Sequence, residues 1–190
     1  MSYKQYFEYI FDCGVTAQVR LESVAARIVP VKGASMRLTS YTNYALRALQ
    51  LAALRSPDLV RVGDVVKVHG LARPHIVKIV HELGKAGYIT TRRGRGGGFC
   101  LARPAEEIVV GDIVRLTEGP IELVECFNSD TNTCPLIGIC KLSSAFAEAT
   151  RAFLEVLDGV TIADIAANRE ALLNRIAPLQ DGIVAPVGRR

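Results

Sequence analysis

The sequence predicts a mainly α-helical fold with one small β-hairpin, and three observations support it. Apolar residues recur at helical spacing in three consecutive segments that start at Thr39. Two β-rich runs then flank the stretch RRGRGGG, which is typical of a hairpin. An amphipathic segment after Lys141 predicts a further long helix. The 190 residues are 49% hydrophobic and 22% charged, which is an ordinary globular composition and argues against disorder.

The first helix lies in the segment TSYTNYALRALQLAAL, with Thr39 or Ser40 as its N-cap. Six residues at helical spacing form its core-facing side: Tyr41, Tyr44, Ala45, Ala48, Leu49 and Ala52. A short second helix follows around Asp64 to His69 and ends at Gly70.

The third helix lies in ARPHIVKIVHELGKAGYI, where Pro74 suits the first turn and Gly87 suits the C-terminal cap. One face carries Ile76, Ile79, Val80 and Leu83, and the other carries His75, Lys78, Glu82 and Lys85. Two short helices joined by a tight, glycine-containing turn are typical of a helix-turn-helix.

The hairpin that follows, YITTRRGRGGGFCLAR, has a basic tip, and a helix-turn-helix with such a hairpin is a winged helix. Winged helices insert the start of the third helix into the major groove of DNA. The predicted base contacts are therefore Arg73, His75 and Lys78, and the predicted phosphate or minor-groove contacts are Arg92, Arg93 and Arg95. The alternatives are a solvated helix face and a tip that serves solubility.

The charge distribution supports double-stranded DNA as the partner. Between Arg61 and Arg95 stand eight Lys or Arg residues against two acidic ones, a local surplus of +6 in a chain whose net charge is +4. Around the cysteine-containing segment acidic residues dominate instead. This asymmetry predicts an anion-binding half and a second half with another task.

Three of the five cysteines, Cys126, Cys134 and Cys140, stand in the segment ECFNSDTNTCPLIGICKL. Structural zinc sites use more closely paired cysteines, and secreted scaffolds use an even number. Spacing alone leaves open an iron-sulfur cluster, a zinc site, a thiol-disulfide switch or plain buried cysteines. Cys13 and Cys100 are predicted not to be ligands, with Cys100 an ordinary buried cysteine of the hairpin.

After the cysteines, one stripe of the last long helix carries Leu142, Phe146, Ala149, Phe153 and Val156 or Leu157. One helix cannot bury such a stripe on a small domain, so the stripe predicts a partner helix. The predicted organisation is an N-terminal extension (1–35), a winged helix-turn-helix DNA-binding domain (36–117), a cysteine loop (118–141), the dimerisation and C-terminal helices (142–176) and a flexible tail (177–190). Met36 is an alternative translation start.

The sequence predicts a cytoplasmic protein with reduced thiols. No apolar run is long enough for a transmembrane helix, and the N-terminal residues lack the apolar core of a signal peptide. An enzyme is not expected, because His69, His75 and His81 all fall in the helix-turn-helix and none stands beside a cysteine or carboxylate in a triad.

The stretches MRLTSYTNYALRAL, HIVKIVHELGKAGYI and RRGRGGGFCLARPAEEIVVGDIVRLTEG, together with the three-cysteine loop, resemble the winged-helix iron-sulfur regulator family of the IscR and NsrR type. The resemblance covers roughly residues 36–165. It implies a homodimer on a two-fold symmetric operator, with a [4Fe-4S] or [2Fe-2S] cluster that controls DNA binding.

Within the family, LVECFNSDTNTCPLIGIC and the third helix resemble the nitric-oxide-sensing NsrR branch, which implies Cys126, Cys134 and Cys140 as thiolate ligands. Ser143 stands where the IscR branch has a histidine. Asn43 stands where some members of the NsrR branch supply an aspartate from the partner subunit, so it is a possible fourth position.

The resemblance implies a cluster-dependent transcriptional repressor that senses nitric oxide. An iron-responsive, RirA-like branch of the family resembles this loop spacing and has asparagine at the position of Asn43. Iron or redox state is therefore the alternative signal. An electron carrier that uses the cluster and the basic face is the least favoured alternative.

Overall fold

The computed structural model describes residues 37–180, and their side chains as far as residue 178. The predicted N-terminal extension, Met36, Cys13 and residues 181–190 of the predicted tail lie outside the described residues. In the described part the helices are α1 (Ser40–Arg55), α2 (Val62–His69), α3 (Arg73–Lys85), α4 (Val110–Glu118), α5 (Lys141–Asp158), α6 (Ile162–Ala166) and α7 (Arg169–Gln180). The strands are β1 (Ile89–Arg92) and β2 (Gly98–Leu101).

Helix α1 is the centre of the core, and it packs against α3, α4 and α6. It begins where predicted, because Thr39 is the N-cap and its hydroxyl accepts the Thr42 N–H at 3.4 Å. Ala45, Ala48 and Leu49 are fully buried, as the helical spacing predicted. Small alanines on this face let the neighbouring helices approach α1 closely.

The helix-turn-helix forms as predicted. Helix α2 ends at Gly70, which adopts the left-handed conformation (φ 63°) that few other residues tolerate. Pro74 lies in the first turn of α3. The predicted apolar face of α3, made of Ile76, Ile79, Val80 and Leu83, is buried in the core, so the opposite face points to solvent.

The wing is an antiparallel pair in which Ile89 lies opposite Leu101 and Arg92 lies opposite Gly98. The chain before α2 joins its edge, since Val60 and Phe99 exchange two backbone hydrogen bonds of 2.8 Å. At the tip, a Cβ on Gly97 would lie 2.3 Å from the Arg92 carbonyl oxygen, so only glycine fits. Cys100 is half-buried rather than buried, because the two-stranded sheet places Phe99 toward the core and Cys100 on the opposite face.

Helices α6 and α7 return to the body of the fold. The backbone of Ile162 donates to the Ile108 carbonyl at 2.8 Å, and its side chain is fully buried. The Arg169 guanidinium donates to the Ala53 and Ser56 carbonyls at 3.4 and 3.3 Å, which satisfies the C-terminal end of α1. Between residues 37 and 180, no helix combines the length and apolar character that a bilayer crossing requires.

Candidate functional site

The outer face of α3 carries the three predicted base contacts, and all three side chains are exposed. Two of them touch tyrosines of α1. The His75 ring stacks beside the Tyr44 ring, with centroids 6.4 Å apart and planes 21° apart. Lys78 Nζ lies 5.7 Å from the centroid of the Tyr41 ring. Helix α1 therefore sets one flank of the predicted recognition surface.

A cleft of about 590 Å³ opens beside this flank, between the start of α1, α3 and the end of α4. The Tyr41 hydroxyl is buried there, without a hydrogen-bond partner in the described part of the chain. Burial, and next the nearby Glu82, raises the pKa of Tyr41 above its ordinary value. Tyr41 therefore meets Lys78 as a neutral ring, and the ring face attracts the ammonium group.

The other flank of α3 faces a basic cleft of about 520 Å³ between α2, α3 and the wing. Four basic side chains line it: Arg61, Lys67, Arg73 and Arg92. Asp64 lies there too, but its carboxylate accepts the Arg61 N–H at 2.9 Å and so caps α2. Arg93 and Arg95 are exposed at the tip of the wing. The structure thus brings predicted residues of α3 and the wing to one surface.

Arg61 and Lys67 were not among the predicted DNA contacts. Both contribute to the basic surplus of the segment from Arg61 to Arg95, so the signal for them is present in the sequence. Their convergence with Arg73 and Arg92 depends on the packing of the wing against the start of α2, which sequence spacing does not report.

The cysteine loop is residues 118–141, and none of its side chains is fully buried. Cys126 lies in a helical turn, Glu125–Phe127, and its thiol donates to Ser143 Oγ at 3.4 Å. The Cys134 N–H donates to Asn132 Oδ1 at 3.0 Å. Cys140 is the N-cap of α5. All three thiols are free and half-exposed, whereas Asn43 is exposed on the first turn of α1.

The three thiols share one loop but do not converge. Within residues 37–180, no three side chains of His, Cys, Asp or Glu lie close enough together to hold a metal ion. Their chemistry nevertheless fits an iron-sulfur cluster, because thiolates are its usual ligands and these thiols are free and reachable. A loop without buried residues can rearrange at little cost in packing, and metal-binding free energy commonly supplies such ordering.

The start of the cysteine loop is bonded to the start of α1 through Glu118. Its Oε1 accepts the Thr39 N–H at 2.7 Å and the Thr39 hydroxyl at 3.0 Å. Glu118 Oε1 also accepts a hydrogen bond from the hydroxyl of the fully buried Thr42. The Thr42 Oγ1 atom lies 2.7 Å from Thr117 Oγ1. A carboxylate at a helix N-terminus is favoured by the helix dipole. This cluster, the Glu118 junction, lies within one turn of Asn43.

The C-terminal end of α5 is held to α4 by one ion pair. The Arg115 guanidinium donates two hydrogen bonds of 2.6 Å to the two carboxylate oxygens of Asp158. These bonds hold the pKa of Asp158 below its ordinary value and raise that of Arg115. Gly111 leaves the room for it, since a Cβ there would lie 1.9 Å from Asp158 Oδ1.

His69 ends α2 with its Nε2 atom buried and without a hydrogen-bond partner in the described residues. Burial, with a smaller effect of Arg47, lowers its pKa to about 4. It is neutral at neutral pH, and it adds no charge to the basic surface.

Known proteins are similar to this chain over most of its length. The Rrf2 family model, described as iron-dependent transcriptional regulator, matches residues 38–168. The HTH-type transcriptional regulator NsrR of Geobacillus kaustophilus is 47% identical over 138 residues, which are 72% of this chain and 94% of the relative. NsrR of Bacillus subtilis is 39% identical over 139 residues, 73% of this chain and 95% of the relative.

Solved structures show the same fold. T. potens IscR superimposes with a TM-score of 0.58 and 25% identity, over 73% of this chain and 91% of that chain. Staphylococcus aureus CymR gives a TM-score of 0.55 and 28% identity, over 67% of this chain and 96% of that chain. These matches confirm the predicted winged-helix fold class and family resemblance. They also confirm that the chain is a regulator rather than an enzyme. The chain belongs to the Rrf2 family of transcriptional regulators.

Proposed function

We propose that the protein is a DNA-binding repressor whose operator affinity is set by an iron-sulfur cluster that senses nitric oxide. The observation that carries the proposal is the position of α1 between two sites. Its tyrosines contact His75 and Lys78 on the recognition helix, and its first turn bonds to Glu118 at the start of the cysteine loop.

DNA binding rests on the continuous basic surface of α3 and the wing. Arg73, His75 and Lys78 would face base edges in the major groove, where arginine and lysine donate to guanine. Arg92, Arg93 and Arg95 would contact phosphates or the minor groove, and Arg61 and Lys67 would add phosphate contacts on the α2 side.

Cys126, Cys134 and Cys140 would hold the cluster through their thiolates, and Asn43 of a second copy is the candidate at the fourth position. When bound, an iron-sulfur cluster short of one thiolate supplies an iron at which nitric oxide can bind. The neutral amide of Asn43 is a poorer iron ligand than a carboxylate. The three thiols are half-exposed, so small molecules can reach them.

The coupling runs through contacts of this chain. Ordering of the cysteine loop would fix Glu118 against Thr39 and Thr42, and so fix the first turns of α1. Tyr41 and Tyr44 lie on those turns and hold Lys78 and His75. A hundredfold change of operator affinity needs about 2.7 kcal/mol of coupling, which is within the usual range for allostery.

A homodimer is supported by α5, which has no fully buried residue. Leu142, Phe146, Ala149, Phe153 and Val156 are spaced alternately by four and three residues. This is the repeat by which two helices pack side by side. Leu142, Phe153 and Val156 are 62%, 43% and 66% exposed. A second copy packed on this stripe would present two recognition helices to a two-fold symmetric operator.

Iron availability or redox state is the second candidate signal, and two observations favour it. Position 43 carries Asn43 rather than a carboxylate. The family description also names iron dependence. An electron carrier finds no support in a family of transcriptional regulators.

The test is anaerobic purification followed by absorption spectra and operator gel shifts, with and without nitric oxide. We expect cluster absorption that is lost in Cys126→Ser and kept in the matched control Cys100→Ser. Nitric oxide should release the operator. A colourless protein with stoichiometric zinc would contradict the cluster. If nitric oxide left binding intact while iron chelation abolished it, iron would be the signal.

A further inference from the structure

Val77 is the one large aliphatic side chain exposed on α3, every residue of which is described, and 50% of its surface is accessible. Its exposed neighbours on the helix are Arg73, Pro74, His75, Lys78, His81 and Lys85. One large aliphatic side chain therefore stands in the middle of a basic surface that is otherwise suited to anions.

The fold does not account for this valine. The core side of α3 is completed by Ile76, Ile79, Val80 and Leu83. On a solvent-facing helical position a β-branched residue is a poorer helix former than lysine, glutamine or arginine. Dimerisation does not account for it either, since the unpartnered apolar stripe belongs to α5.

The position of Val77 places it among the proposed base contacts. It lies one turn after Arg73 and one turn before His81, and residues four apart share a helix face. On one side of this row Arg73 and Val80 line the basic cleft with Arg92. On the other side Lys78 lies over the Tyr41 ring. Cations that bind DNA on both flanks would hold Val77 against the floor of the major groove.

The chemistry of that floor identifies the contact. Base edges in the major groove are donors and acceptors, and the C5-methyl group of thymine is the apolar exception. We propose that Val77 packs against the C5-methyl group of one thymine in each half-site and makes the protein prefer thymine there. The inference rests on the proposed DNA-binding function. 5-Methylcytosine carries the same methyl group, but unmethylated duplexes present it only as thymine.

The test starts from duplexes that the full-length, anaerobically purified protein enriches from an unmethylated random-sequence library. Each thymine of the enriched operator is then replaced in turn by deoxyuridine, which removes only the methyl group. At one position per half-site we expect the loss to weaken wild-type binding about fourfold, the effect of one buried methyl-sized group.

Val77→Ala should bind the thymine operator less tightly and should make no distinction between thymine and deoxyuridine at that position. Lys85→Ala, on the same exposed face near the end of α3, should keep the wild-type ratio. An equal ratio in wild type and Val77→Ala would overturn the Val77 contact and leave DNA binding intact. Failure to enrich any duplex would overturn the DNA-binding function itself, and the contact with it.

Discussion

The body of the fold and the segment from Arg115 to Thr161 are built differently. Up to Val114 the chain has a continuous buried core centred on α1, and burial resumes at Ile162. Between these points no side chain is fully buried. The Glu118 junction bonds the segment to the start of α1. Ile121, Leu154 and Leu157 of the segment pack against the core but stay partly exposed. The core of the body is therefore complete within one chain, and the body carries the proposed DNA-binding surface. The segment from Arg115 to Thr161 has no buried core of its own, as expected of a region that a second copy and a cluster would cover.

The largest expected effect is a loss of stability in the body of the fold. Ile79 is fully buried on α3, and Ile79→Ala should lower the free energy of unfolding by about 2–5 kcal/mol through lost burial and a residual cavity. Val77→Ala is the matched control on the same helix and should change it by less than about 0.5 kcal/mol. Urea unfolding followed by circular dichroism measures both. Equal effects would mean that the core side of α3 is misassigned.

The next effect falls on the exposed segment. Phe153→Ala removes an apolar side chain, 43% exposed, from the α5 stripe. We expect it to weaken the dimer by about 1.5–3 kcal/mol, roughly tenfold or more in the dissociation constant. Unfolding of the monomeric body should change little. Glu155→Ala, on the opposite side of α5, is the control. Sedimentation over a dilution series would contradict the stripe if both variants dissociated at the wild-type concentration.

The body should also carry an acid sensitivity. Burial lowers the pKa of His69 to about 4 in the fold, below the ordinary value of 6.5. The unfolded chain therefore takes up a proton first as pH falls. Stability is complete above pH 6.5, declines between pH 6.5 and 4 and levels off below. For this partly exposed group we expect a loss of about 1–2 kcal/mol. The measurement is the free energy of unfolding at several pH values between 6.5 and 4. His69→Gln should lose less of it than the wild type, and His81→Gln should lose as much as the wild type.

The sequence predicts these two regions unequally, for physical reasons. Helix spacing and turn residues located α1, α2, α3 and the wing, because each of these elements buries one face. Gly70 and Gly87 also mark the ends of α2 and α3. The predicted elements do not include α4, whose packing depends on contacts with α1 that are distant in sequence. The hydrogen bond from the Thr42 hydroxyl to Glu118 spans 76 positions and leaves no local pattern.

The candidate sites show the same limit. Side-chain type and helix phase placed Arg73, His75 and Lys78 on one exposed face, as the structure has them. Spacing could not show that Arg61 and Lys67 meet the wing. It also could not show whether Cys126, Cys134 and Cys140 converge, because spacing along a loop does not fix the distances between its side chains. Their role as ligands stays a prediction.

A smaller effect tests whether the wing contacts DNA independently of the cluster. Each exposed Arg95 of a dimer would neutralise one phosphate, so Arg95→Ala should lower the slope of log affinity against log salt by about 1.8. The decrease should be the same with and without the cluster, because the wing belongs to the body. Fluorescence anisotropy at several salt concentrations measures the slope. An unchanged slope would remove Arg95 from the interface.

The smallest expected effect tests the connection between the two regions. Glu118→Gln keeps the size of the side chain but removes the charge that accepts from Thr39 and Thr42. Loss of one charge-assisted set of bonds at a partly exposed site is worth about 1 kcal/mol, or about fivefold. In Glu118→Gln we expect the ratio of operator affinity with the cluster to that without it to fall about fivefold. The reason is that the Glu118 junction connects the cysteine loop to α1. Affinity without the cluster should stay near the wild-type value, since Tyr41 and Tyr44 still hold Lys78 and His75. An equal loss in both states would show that Glu118 stabilises the body alone, and the route between the regions would then have to run elsewhere.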